Sequence, residues 1–201
     1  MSPRKIPTQA RARETYLAIR QAAARILERD GYAALTSNHV AAEAGVGIAS
    51  FYEYFPNKQA VVAAVVTATV EEILCALEAS LGEALAQTPE AGLGTWISAM
   101  FSALDERRAL ATTLLREVPF LYDVPAMQAL PRKLVRLATR GQALGGNPAP
   151  LEQGNALSYL LPVMVSSAVV ESVVRPPSGI PRSELEQTLV NVLKPLLAAS
   201  P

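Results

Sequence analysis

Apolar side chains recur along this chain at spacings of three and four, the period of one helix face, and strand-like alternation is nearly absent. Tyr16, Ile19, Ala23 and Ile26 form a first stripe, with Arg13, Arg20, Arg25 and Arg29 mostly off it; Gly31 supplies its stop. Val62, Val66, Val70, Ile73, Leu77, Leu81 and Leu85 make a long second stripe that ends near Thr88-Pro89. Leu93, Ile97, Met100, Phe101 and Leu104 predict another helix. Leu130, Leu134, Leu137 and Leu144 predict a further one, with Pro131 in its first turn. Ser183-x-x-Glu186 reads as a capping box that opens a last helix carrying Leu185, Leu189, Val192 and Leu196 on one face.

Between Glu152 and Glu171 lie eighteen uncharged residues, long enough for a membrane span to be considered. The segment contains Gln153, Gly154, Asn155, three serines and Pro162, and no Lys/Arg cluster flanks it, so a span is rejected. Burial on two sides explains it better, with one face in the chain's own core and the other against a partner subunit. The turn formers of Gly145-Gly146-Asn147-Pro148 and Arg175-Pro176-Pro177-Ser178-Gly179 bracket it.

The 201 residues, half of them apolar, suffice for a well-buried core of one domain or two small ones. The single Cys and single His exclude an internal disulfide, a multi-thiolate site and any zinc site built on several imidazoles. The first thirty residues are charged throughout and show no secretory pattern, so the expected compartment is the cytoplasm. Zero net charge hides an asymmetry. Residues 1–60 carry eight basic and five acidic groups (+3), the rest ten and thirteen (−3), and residues 1–29 alone carry seven against two (+5). A basic end of this kind is one mark of polyanion binding and is equally common on a solvated helix face.

No catalytic, cofactor or metal constellation is present: the chain has no Gly-x-Ser-x-Gly elbow, phosphate loop or dinucleotide fingerprint, and Glu71-Glu72 falls on a solvated face. Cys75 reads as a small buried hydrophobe and His39 as a plain surface residue. Met and aromatic residues collect in the middle third, where Trp96, Met100, Phe101, Leu104, Phe120, Tyr122, Met127, Tyr159 and Met164 could line a pocket. Thr112, Thr113, Arg116 and Glu117 are candidate polar handles.

Function is concentrated in residues 32–61. Thr36 can cap a short helix with Val40, Ala41 and Ala44 inward, and Gly45 ends it; Ser50–Phe55 can form another, which Pro56 stops, and Asn57 caps the long helix that follows. Two short helices joined by a tight glycine turn are the parts of a helix-turn-helix. The string Thr36, Val40-Ala41, Ala44-Gly45-Val46, Phe51-Tyr52-x-Tyr54-Phe55-Pro56-x-Lys58 resembles the N-terminal signature of the TetR (tetracycline repressor) family of bacterial transcriptional regulators, over about residues 12–66.

The resemblance implies an all-α homodimer. A three-helix DNA-binding head (1–60) would precede a helical ligand-binding and dimerisation body (61–201), with the middle-third residues Trp96, Met100, Phe101, Leu104, Thr112, Arg116, Phe120, Met127, Tyr159 and Met164 as its pocket. It implies that two C-terminal helices, about 151–174 and 182–198, pair across the two-fold axis through Leu157, Leu161, Val165, Val169, Leu189, Leu193 and Leu196. Carried over by position, Thr36 resembles a phosphate-contacting cap and Asn38 can reach a base edge. Gly47, Ile48, Ala49 and Ser50 open the recognition helix, Tyr52 and Tyr54 resemble phosphate or groove contacts, and Lys58 resembles a phosphate clamp. Family members commonly carry Ser-Lys-Gly-Thr or similar where this chain has Gly47-Ile48-Ala49-Ser50. Base readout must then lean on thymine methyl contacts, on Asn38 or Ser50, or on DNA shape. The implied function is a repressor released from a pseudo-palindromic operator by a small, largely apolar effector through the long fourth helix, with no membrane partner. The alternatives are a helix-turn-helix-derived interaction protein without sequence-specific readout and, remotely, an all-helical enzyme.

Overall fold

The computed structural model describes residues 9–144 and 156–198, and of 141–144, 158 and 196–198 only the backbone. The first basic pair, the turn at 145–148 and the side chains of Leu144 and Leu196 lie outside what is described. Among the described residues there are helices and no strand. In chain order they are α1 (Ala10–Ala34), α2 (Ser37–Glu43), α3 (Ile48–Tyr54), α4 (Lys58–Leu85), α5 (Pro89–Asp105), α6 (Arg108–Glu117), a 3₁₀ turn at Leu121–Asp123, α7 (Pro125–Leu144), α8 (Ala156–Val174) and α9 (Arg182–Ala198).

The described residues pack as two compact units, one within residues 1–70 with 109–128 and the other within 71–108 with 129–201. This division differs from a cut at residue 60. The first three turns of α4 bury Ala60, Val61, Val62, Val65 and Val66, and residues 109–128 cluster with the N-terminal helices.

Local chemistry sets most boundaries. The Thr36 hydroxyl accepts from His39 N–H at 3.1 Å, and the Asn57 side chain accepts from Ala60 N–H at 2.9 Å. Thr88 caps α5, whose first position is Pro89. Gly31, at φ +80, breaks α1 as expected, but one further helical turn follows it to Ala34.

Two boundaries differ from expectation. α7 starts at Pro125, so Pro131 lies inside the helix and forgoes one backbone bond instead of occupying the first turn. α9 starts at Arg182, so Ser183 is not its cap. The Glu186 carboxylate instead accepts from Arg182 and from the Ser98 hydroxyl, while Arg182 also donates to Ser98 O and Ser102 Oγ of α5 at 3.0 and 2.8 Å. By length and composition α4 could cross a membrane, but 61% of its apolar stretch is buried in the protein.

In the second unit α5 packs against both α8 and α9. Val165, Val169, Val173, Val190 and Leu193 face inward. Among the described side chains, Tyr159, Leu160 and Met164 on α8 and Val192 on α9 are the large apolar residues these helices leave exposed.

Candidate nucleic-acid interface

The first unit builds a helix-turn-helix from the inside outward. Val40 and Ala41 bury α2 against α1, and the turn to α3 closes through Gly45 N–H to Ala42 O (3.1 Å) and Val46 N–H to Ala41 O (3.0 Å). Gly45 sits at φ +68, a left-handed conformation that a side chain would strain. α3 is seated by an aromatic cluster. Phe51 and Phe55 are fully buried, with ring centroids 5.9 Å apart, and Tyr16 stacks on Phe55 at 5.0 Å.

That anchoring leaves Gly47, Ile48, Ala49, Tyr52 and Glu53 exposed, with Ser50 half-buried. Thr36 and Asn38 are exposed at the start of α2. Tyr54 is different: it is buried, edge-on to Tyr16 at 6.2 Å, and belongs to the head's core, not to a phosphate or groove contact. The reason is its position three residues after Phe51, on the same inward face.

Lys58 is occupied within the unit. Its ammonium donates to Leu35 O at 3.2 Å and lies 4.3 Å over the Tyr32 ring. His39, expected as a plain surface residue, is half-buried with Nδ1 3.2 Å from Ala34 O.

The basic excess of the N-terminal segment is also partly spent. Arg25 Nε pairs with Glu43 at 2.9 Å, and Arg29 pairs with Asp30 at 2.8 Å and with Glu43 at 3.4 Å. Hydrogen bonding from Arg25 holds the Glu43 carboxyl below the usual carboxylate range, and that from Arg29 does the same to Asp30. Arg11 and Arg13 are exposed on the same helix.

The candidate ligand residues do not form one described cavity. Thr112, Arg116, Phe120 and Met127 belong to the first unit; Phe120 is buried there, its ring 6.0 Å from Tyr32. Trp96, Met100, Phe101, Leu104, Tyr159 and Met164 belong to the second. Met100, Phe101 and Leu104 are core, whereas Tyr159 and Met164 point outward. The Trp96 indole N–H is buried with no hydrogen-bond acceptor.

A groove of about 330 Å³ lies between α4 and α7 of that unit, with Leu74, Cys75 and Leu137 as apolar floor and Lys133, Arg136 and the Arg140–Glu78 pair as charged rim. None of the residues expected to line a ligand site borders it. Cys75, expected to be buried, is exposed there. Of the interface residues expected on α8 and α9, Val165, Val169 and Leu193 are buried within the protomer, and Leu157, Leu161 and Leu189 are half-buried.

Sequence reasoning missed the arginine–carboxylate network, although the charges were visible. It also missed the bond from Tyr32 N–H to Glu117 at 2.8 Å, which joins residues 85 apart.

Residues 19–65 match the family described as bacterial regulatory proteins, tetR family. No curated protein sequence matches the chain. Solved structures resemble nearly all of it. One is a protein of Mesorhizobium loti assigned to the TetR family of transcriptional regulators, with TM-score 0.72, 17% identity, and 94% of this chain and 98% of that one covered. Another is the transcriptional regulator FadR of Bacillus subtilis in complex with stearoyl-CoA, with TM-score 0.63, 22% identity and coverage of 92% and 98%. A third is the TetR family repressor AlkX of a Dietzia strain, with TM-score 0.61, 18% identity and coverage of 91% and 95%. Residues 19–65 thus match the N-terminal segment that defines the tetR family of bacterial regulatory proteins, and nearly the whole chain shares the fold of solved structures assigned to that family.

Proposed function

We propose that the chain is a homodimeric, cytoplasmic transcriptional repressor that reads a pseudo-palindromic operator through α3 and leaves it when a small, largely apolar effector binds. The observation that carries the DNA reading is the exposed row Ile48, Ala49 and Tyr52 on a helix held rigid by Phe51 and Phe55. A short helix fixed on one side and bare on the other suits insertion into a major groove. Asn38 can pair with an adenine edge, Ile48 can pack on a thymine methyl, and Thr36, Ser50 and Tyr52 offer hydroxyls to phosphates.

The exposed apolar side of α8 and α9 supports the dimer, since Tyr159, Leu160, Met164 and Val192 together would otherwise face water. The effector reading leans on the Trp96 N–H, buried without an acceptor, on the helix that also carries the buried Met100, Phe101 and Leu104. The stearoyl-CoA bound to FadR shows the class of molecule one protein of this fold accepts.

One observation favours a second reading, a helix-turn-helix-derived interaction protein: α3 has no cation and exposes Glu53, and Lys58 is engaged internally. A gel shift against duplexes flanking the protein's own gene separates the two. A salt-sensitive shift supports repression, and no shift at low salt supports the interaction protein.

A further inference from the structure

The DNA-reading pair α2–α3 is anchored from outside the segment that matches the family. Where Gly31 breaks α1, the Glu117 carboxylate accepts the Tyr32 N–H at 2.8 Å. A Cβ on Gly31 would lie 2.8 Å from the same carboxylate oxygen and would push the Glu117 side chain aside, while the φ of +80 favours glycine in its own right.

Glu117 is the last residue of α6, where a negative charge opposes the helix dipole. The position is locally unfavourable and makes sense through its tertiary contact. From Tyr32 the connection to α2 is short. Tyr32 O accepts from Leu35 N–H at 3.3 Å, Leu35 is fully buried and its carbonyl holds Lys58, and the next residue is the Thr36 cap of α2. Phe120, three residues after Glu117, packs edge-on to the Tyr32 ring.

We propose that Glu117 is a positioning residue for DNA recognition: through the Tyr32 N–H it fixes the α1–α2 corner, and so the seat of α2 and α3, without touching DNA. The proposal rests on the DNA-binding reading above.

The test uses full-length protein and the duplex that wild type selects from a random pool. Glu117→Ala should weaken binding about tenfold, the scale of one hydrogen bond to an ionised acceptor. The dependence on salt should be unchanged, because no phosphate contact is lost. Hydrogen exchange at the Tyr32 amide should accelerate by a similar factor. Glu117→Gln, which keeps an acceptor oxygen, should stay within about threefold of wild type. If Glu117→Ala fails to fold, Glu117→Asp, one methylene short of the amide, replaces it. A folded variant that opens the Tyr32 amide yet binds with wild-type affinity overturns the proposal, as does a lowered salt slope. Wild type that selects no duplex defeats the DNA reading itself, and this proposal with it.

Discussion

The two units use exposed apolar side chains in different ways. In the first, Ile48 and Tyr52 stand on one short helix with a closed aromatic core beneath it. In the second, α8 is apolar on opposite faces: Val165, Val169 and Val173 point inward, and Leu160 and Met164 point outward. An isolated exposed Ile on a rigid helix is compatible with a monomer; an apolar face along a helix calls for a partner. On the proposed reading, the contrast separates a surface that meets DNA from one that a second subunit covers.

The sharpest break in this comparison is Leu160→Glu with Met164→Glu. Light scattering should show folded monomers, and most DNA affinity should be lost with the second half-site. Val165→Glu should instead unfold the second unit, because it buries an unpaired charge; circular dichroism distinguishes the two. Next in size, Phe55→Ala should cost about 3–5 kcal/mol in denaturant unfolding, whereas Ile48→Ala should stay within about 0.5 kcal/mol and change only base preference. Lys58→Ala tests which side of the head this lysine serves. Loss of its bond to Leu35 O and its place over Tyr32 should cost about 1–3 kcal/mol with an unchanged salt slope. A slope lowered by about one per subunit would put it on a phosphate instead.

The smallest effect is in acid. Glu43 and Asp30 titrate lower in the folded than in the unfolded chain, so their contribution is full above the ordinary carboxylate pKa of about 4 and is lost as pH falls through their depressed values. Glu43→Gln should flatten the fall in melting temperature below about pH 4.

What was legible in the chain follows from the range of the forces involved. Thr36 and Asn57 act on backbone within three residues, so their caps and the α2–turn–α3 unit could be read directly. Tyr54 was misplaced because a family signature marks residue type without saying which face is buried. On α8 the apolar pattern could not choose between Val165 and Met164, because both faces are apolar and only packing against α5 decides. The Ser183 box failed to form because a distant partner, Ser98, and the neighbouring Arg182 compete for Glu186. Glu117 stood out only as a candidate polar handle for a ligand, and its contact could not be read: its partner is a backbone N–H, which has no side chain to read.

Selection of duplexes from a random pool by the wild-type protein, repeated with Asn38→Ala and Ile48→Ala, tests the central claim most directly. The account predicts a dyad-symmetric motif with half-site centres about one helical turn apart. With Asn38→Ala, preference should collapse at one symmetric pair of positions, and with Ile48→Ala a thymine preference should soften without vanishing. Enrichment of no motif by the wild type, or of one that both variants leave unchanged, would contradict it.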